Sequence, residues 1–199
     1  MNLEDYRTLF FVATLGLTLL AASPALSWVV PLQGGSEEFS ELWLLGPDHM
    51  AEGYPLNVGA GDVYSVFVGV NNHMGCSEYY AVYAKFRNQT QPLSDINYSQ
   101  PSSLSPLYEF RFLLADGKTW ESPLAFAFQG VSVESDSVFV DSVTINGVAF
   151  PINSFSTWDS ENSGFYFQLF FELWRYDRAS QDFRFDNRFV GIWLNMTGS

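Results

Sequence analysis

The side chains that most often carry enzyme chemistry are few in this sequence, and their spacing matches no catalytic or metal-binding motif. There are two histidines, His49 and His73, and one cysteine, Cys76, which closes the stretch His-Met-Gly-Cys. No G-x-S-x-G nucleophile elbow occurs, and the ligand spacing of a zinc site is missing. A Ser-His-Asp triad is defined in space, so the sequence alone leaves it open. We predict no catalytic residue, no cofactor and no metal ion.

Carboxylates are numerous and fall mainly in predicted turns, where they could hold Ca²⁺ through oxygen ligands. No D-x-D-x-D-G run is present, and we interpret these residues as a solvated acidic surface that keeps the domain soluble. Calcium binding is the alternative. The acidic residues concerned are Asp116, Asp136, Asp141, Asp159, Glu161, Asp177, Asp182 and Asp186.

Aromatic residues make up 18% of the chain and could form either a core or a surface on which a sugar stacks. The alternation of the strands favours a core position for Trp43, Trp174 and Trp193. Trp158 lies in a polar segment and Trp120 follows a turn. These two are therefore the candidate ligand-stacking residues.

Three sequons for asparagine glycosylation occur, at Asn88, Asn97 and Asn195. Asn88 and Asn97 border or occupy a polar stretch, residues 88–106, that we predict to be a long surface loop. The three sequons favour export of the chain.

Period-2 alternation between turn signals dominates the chain after residue 38, which is typical of antiparallel sheets. Asn146-Gly147, between two apolar runs, is a strong hairpin signal. About eight strands fit an all-β, immunoglobulin-like antiparallel β-sandwich. The predicted strands are 39–45, 63–71, 79–86, 108–114, 124–128, 137–145, 165–176 and 183–196.

Residues 9–30 contain no charged side chain and, as a helix of about 33 Å, could cross a bilayer core. Arg7, on the N-terminal flank, favours a cytoplasmic N-terminus. We predict a cytoplasmic segment 1–8, a transmembrane helix 9–30, a linker 31–38 and an extracytoplasmic domain 39–199. The alternative is a signal peptide cleaved after Ala25, and both readings export the rest of the chain.

The net charge of −13 excludes two classes of partner. Nucleic acids and anionic headgroups are bound by clustered Lys and Arg, and the nine in this chain are scattered. Attachment to the bilayer must therefore be hydrophobic, through residues 9–30.

Three runs and one glycine form a recognisable series: Leu-Trp-Leu-Leu-Gly-Pro at 42–47, Ala-Glu-Gly-Tyr-Pro-Leu-Asn-Val at 51–58, Gly61, and Val-Phe-Val-Gly-Val-Asn-Asn-His at 66–73. This series resembles the archaeal domain of unknown function 1616 family. The resemblance covers roughly residues 39–86 and is looser at 165–173 and 189–194. It implies an archaeal membrane protein with an extracytoplasmic immunoglobulin-like domain, and it implies no activity.

Two functions follow as expectations. The first is a membrane-anchored cell-surface module with a structural or protein-interaction role, whose partner is an envelope component or another copy of itself. The second is an extracellular module that binds carbohydrate or calcium.

Overall fold

The computed structural model describes residues 6–7, 10–18, 38–95, 97 and 99–197. The chain divides into two compact units, residues 1–38 and 39–199. In the first unit, residues 6–7 and 10–18 are helical. None of the helical stretches within the described residues has the length and apolar character needed to span a bilayer. The predicted transmembrane helix 9–30 and linker 31–38 lie largely outside the described residues.

The second unit consists of two five-stranded sheets. The first sheet has the order β1-β3-β6-β7-β8 and is antiparallel throughout. Its strands are β1 (Phe39–Leu45), β3 (Tyr64–His73), β6 (Thr119–Val133), β7 (Ser137–Ile145) and β8 (Val148–Thr157).

The second sheet has the order β2-β10-β9-β4-β5, and only the short β2 pairs in parallel, with the end of β10. Its strands are β2 (Asn57–Val58), β4 (Glu78–Asn88), β5 (Tyr108–Leu114), β9 (Tyr166–Asp177) and β10 (Asp182–Met196). The chain changes sheets repeatedly along its length, so neither sheet forms from one continuous segment.

The core lies between the sheets and is built from the inward-facing side chains of alternate residues. On β7, Val138, Val140, Val143 and Ile145 are all buried. Their alternation changes phase after Val140, where the pairing of β7 with β8 shifts register. Between the pairs Val140–Ser154 and Ser142–Pro151, β8 has one more residue than β7, and this bulge accompanies the change of phase that keeps Val143 and Ile145 buried.

The predicted strands are confirmed in position, and the all-β sandwich is confirmed as the fold class. The Asn146-Gly147 hairpin is confirmed, with positive φ of 46° and 82° at its two central residues, as a two-residue turn of this twist requires. Prediction missed the two-residue β2 and the length of β8. Asn57 and Val58 become a strand only because the distant end of β10 lies beside them.

Candidate functional site

Part of the outer face of the second sheet, around Lys85 and Glu172, is covered by the loop that joins β4 to β5, residues 89–107, here called the covering loop. Beneath it lies an ion pair, with Lys85 Nζ 2.8 Å from Glu172 Oε2, and both side chains are almost completely buried. Both residues point away from the core because their neighbours along β4 and β9 fill the core side. A charged pair is therefore enclosed between the sheet and a loop.

The covering loop supplies the hydrogen bonds that such a pair needs. The Ser94 hydroxyl and the Ser102 amide each donate to Glu172 Oε1 at 2.6 Å. Lys85 Nζ donates to the Ser102 carbonyl at 2.8 Å, and the Trp174 indole donates to Glu172 Oε2 at 3.0 Å. These contacts join the loop to the sheet. Removing one charged partner of such a buried pair costs about 3–5 kcal/mol.

Among the described residues of 39–197, no loop covers the outer face of the first sheet in this way. Near β1 and β3, the Trp43 indole lies flat over Gly69, where any Cβ would overlap the ring. His49 packs on Phe67 with ring centroids 3.7 Å apart, and its Nδ1 lies 2.7 Å from Glu121 Oε1. These contacts hold the turn after β1 against the sheet, and they give Gly69 a packing role.

Asn72, near the end of β3, ties the two sheets together. Its Nδ2 donates to the carbonyls of Cys76 and Leu114 at 2.8 and 2.9 Å, and its Oδ1 accepts from the Tyr80 hydroxyl at 3.1 Å. The Ser40 hydroxyl completes this network, 2.8 Å from Tyr80. Burial raises the pKa of Tyr80 to about 12. Asn72 of the β3 motif therefore links residues of both sheets.

An exposed aromatic pair stands on the open face near its other edge. Phe139 of β7 and Phe155 of β8 are directly paired across the strands and remain 39% and 59% exposed. Asp141, two residues along β7 from Phe139, and Glu134 and Asp136, in the turn before β7, are also exposed. We call these five residues the β7–β8 aromatic patch.

The charge around this patch has a single sign. Residues 119–157, which form β6 to β8 and their turns, contain four acidic residues and no Lys or Arg. The patch therefore combines an apolar centre with an acidic rim that has no basic residue nearby in sequence to neutralise it. Adjacent exposed aromatics of this kind are typical of protein-binding surfaces.

The two tryptophans predicted to stack on a ligand lie in different surroundings. Trp158 is 49% exposed, and its ring meets Phe165 edge-on at 5.1 Å. Trp120 is half-buried, with its ring stacked on Phe112 at 3.9 Å and meeting Phe110 at 5.2 Å. The packing of Trp120 disfavours ligand stacking, and the role of Trp158 stays a prediction.

The core positions predicted for Trp43, Trp174 and Trp193 are wrong, because all three lie on the outer faces of the sheets. Trp193 is 40% exposed, between the buried Ile192 and Leu194. The strands concerned are apolar on both faces, so alternation indicated two faces without telling which one faces the core.

The three sequon asparagines differ in access. Asn88 is buried, and its Nδ2 donates to the Phe155 carbonyl at 3.0 Å. Asn195 Nδ2 donates to Asn57 Oδ1 at 3.1 Å, whereas Asn97 is exposed in the covering loop. A glycan on Asn88 would have to break a buried hydrogen bond, so the geometry favours Asn97.

His73 and Cys76, three positions apart in sequence, make separate contacts. His73 stacks on Phe39 at 4.6 Å, with its Nε2 3.7 Å from Glu41 Oε2, and Cys76 Sγ donates to Glu78 Oε1 at 3.2 Å. Across the part of the chain that the structure describes, no three His, Cys, Asp or Glu side chains converge as a metal site would require.

Within the described residues, the fold is a β-sandwich of two five-stranded sheets, with a loop over part of the outer face of the second sheet. The sequence profile of the family described as domain of unknown function (DUF1616) matches residues 32–135, just over half of the chain. The chain belongs to this family, which confirms the resemblance noted in the sequence. No curated protein matches it.

Two crystal structures of beta-glucosidase from Listeria innocua are similar to parts of this chain. The complex with isofagomine has a TM-score of 0.33 at 10% identity, over 82% of this chain and 16% of that one. The complex with gluconolactone has a TM-score of 0.30 at 12% identity, over 79% and 16%. This chain thus spans 16% of those enzymes, and a likeness at these TM-scores says nothing about activity.

Proposed function

We propose that this chain is a membrane-anchored module of the cell surface that binds another protein through the β7–β8 aromatic patch and performs no catalysis. The observation that carries the proposal is the exposed, directly paired Phe139 and Phe155 with acidic residues around them. Burying both rings against an apolar surface would stabilise a complex, because each removes a large apolar area from water.

The rim indicates the chemistry of the partner. Glu134, Asp136 and Asp141 favour a protein whose apolar contact is bordered by Lys or Arg. A second copy of this chain fits less well, since like rims would meet and each copy carries a net charge of −13. We therefore propose a basic envelope protein rather than self-association.

The placement outside the cell rests on the N-terminal sequence. Residues 9–30 lack charges, and the helical residues 10–18 within them expose apolar side chains such as Phe10, Phe11 and Leu15. We further infer an immunoglobulin-like sandwich, supported by two packed antiparallel sheets between which the chain crosses, and an archaeal source, supported by the resemblance. Asn97 is the sequon best placed for a glycan.

The protein-binding proposal is tested by photo-crosslinking of the full chain in native membranes. A benzophenone amino acid is placed at Phe155 or Phe139 and, as a matched control, at Val148, which is also exposed on β8. We expect one discrete adduct from positions 155 and 139 and none from 148, and we expect Asp136→Asn with Asp141→Asn to weaken it. Equal adducts at all three positions, or adducts between two copies of this chain, would contradict the proposal.

The membrane anchor is tested separately by the intact mass of the chain and by carbonate extraction. A full-length chain that resists carbonate supports the anchor. A soluble chain that starts at Leu26 would replace the anchor with a cleaved signal and leave the binding surface unaffected.

A further inference from the structure

A second surface feature lies on the other sheet, where the start of the covering loop meets the turn before β9. It is a pocket with a volume of about 500 Å³, which is within the range typical of small-molecule binding sites. Its lining side chains combine one indole, one phenol, one guanidinium, one carboxylate and two amides. They are Arg87, Gln89, Asp159, Asn162, Tyr166 and Trp193.

The floor of this pocket is set by strand register. Trp193 of β10, Gln168 of β9 and Arg87 of β4 are neighbours in one row across the sheet. All three side chains point to the outer face, and the Arg87 guanidinium reaches across β9 to lie 5.2 Å from the Trp193 ring centroid. Arg87 and Trp193 thus form a cation–π pair that orients the indole.

The buried Arg87 side chain makes fewer hydrogen bonds than its guanidinium group allows. It is buried, its Nη1 donates to the Gln91 carbonyl at 2.6 Å, and its Nε has no hydrogen-bond partner among the described residues. Gln168 Oε1, in the same row, is likewise buried without a described partner. Burial lowers the pKa of Arg87. Buried polar groups left unsatisfied are uncommon and often mark functional positions.

The opposite wall presents a fixed carboxylate. Asp159 Oδ2 accepts a hydrogen bond from Asn162 Nδ2 at 2.8 Å, and its Oδ1 accepts from the amides of Glu161 and Asn162 at 2.9 and 3.1 Å. The Asn162 side chain, with these amides, lowers the pKa of Asp159, so the group is ionised at neutral pH. The Tyr166 hydroxyl donates to the Asn162 carbonyl at 2.8 Å, which fixes this wall further.

We propose that this pocket binds a neutral saccharide, with one pyranose ring stacked on the exposed part of Trp193 and its hydroxyls bonded to Asp159, Asn162 and Gln89. An indole matches the apolar C–H face of a sugar, and a carboxylate beside amides matches vicinal hydroxyls. The charges of Arg87 and Asp159 offset each other, which disfavours an anionic ligand. None of the lining residues belongs to the β7–β8 aromatic patch, although Gln89 Oε1 accepts a hydrogen bond from the Ser156 hydroxyl of β8 at 3.0 Å.

The test is isothermal titration calorimetry of the full chain, in a detergent whose headgroup is not a sugar. The probes are cellotriose, maltotriose and mannotriose, each to about 20 mM, with trigalacturonic acid as the anionic comparison. We expect at least one neutral trisaccharide to bind with a Kd in the millimolar range, and more tightly than trigalacturonic acid. Because the stack would be lost, Trp193→Ala should weaken that binding about tenfold or more, and Trp193→Phe should weaken it less.

Trp43→Ala is the matched control, because Trp43 is also an indole on an outer face, lies on the first sheet and does not line the pocket. It should leave the Kd unchanged, and thermal unfolding checks that every variant is folded. The proposal is overturned if no neutral trisaccharide releases heat, if trigalacturonic acid binds more tightly than all of them, or if Trp193→Ala and Trp43→Ala weaken binding equally.

Discussion

The two outer faces of the sandwich differ in which side chains they bury. On the second sheet, charged Lys85 and Glu172 are buried under the covering loop, whereas on the first sheet the apolar Phe139 and Phe155 are left in water. Elementary burial preferences would place these residues the other way round. Hydrogen bonds to the covering loop fix the charged side chains beneath it. The aromatic pair on the first sheet leaves apolar surface that a partner can bury.

Stability and binding should therefore depend on different residues. Residues under the covering loop should affect the free energy of unfolding strongly, because their charges have no access to water. Residues of the β7–β8 aromatic patch should affect it little, because they contact solvent in the folded chain. Substitutions under the covering loop and in the β7–β8 aromatic patch test this difference.

Glu172→Gln should lower the free energy of unfolding by about 3–5 kcal/mol, since the Lys85 ammonium would stay buried without a counter-charge. Urea denaturation followed by circular dichroism measures the change. The control is Glu109→Gln, which breaks the Arg111–Glu109 pair, 3.1 Å apart and 47% exposed on both sides, and should cost less than about 1 kcal/mol. Equal losses in the two variants would show that the covering loop does not exclude water.

Gly69→Ala should destabilise the first sheet by about 1–3 kcal/mol, because the new Cβ overlaps the Trp43 indole and forces it off the sheet. The same change in a Trp43→Ala background should cost far less. A double-mutant cycle from thermal unfolding gives the coupling. Additive losses would mean that the glycine is required for its backbone and not for the indole above it.

Tyr80 makes stability sensitive to alkaline pH. Its folded pKa of about 12 lies above the ordinary value of 10.0, so its contribution is complete below pH 10 and is lost as the pH rises to about 12. We expect Tyr80→Phe to remove about 1–2 kcal/mol of this pH-dependent part. Urea midpoints measured from pH 8 to 12 give the slope. A slope that Tyr80→Phe leaves unaltered would contradict the assignment.

Phe155→Ser should change the free energy of unfolding by no more than about 0.5 kcal/mol, because the ring is mostly in water. The same substitution should abolish the discrete photo-crosslinked adduct formed from position 139. A large loss of stability would mean that the pair belongs to the fold, and the contrast between the two outer faces would fail.

Much of the fold could be predicted from local sequence. The Asn146-Gly147 turn depends on neighbouring residues alone and was predicted correctly, whereas the change of phase along β7 after Val140 was not predicted. The strands β9 and β10 were predicted to be apolar, yet the side of each that faces the core was not decided by their composition. The row of Trp193, Gln168 and Arg87 exists only through pairing of residues as far apart as 87 and 193. No sequence spacing could have indicated it.

The all-β class, most strand positions and the family could be predicted from local sequence patterns. The same patterns contain no recognisable catalytic motif. These depend on side-chain period and turn residues, which act over a few positions. Only the tertiary structure decided that residues 89–107 seal an ion pair, that Phe139 and Phe155 meet on an open face, and that Trp193 is exposed. Burial is a property of what packs above a residue, and here those neighbours come from distant parts of the chain.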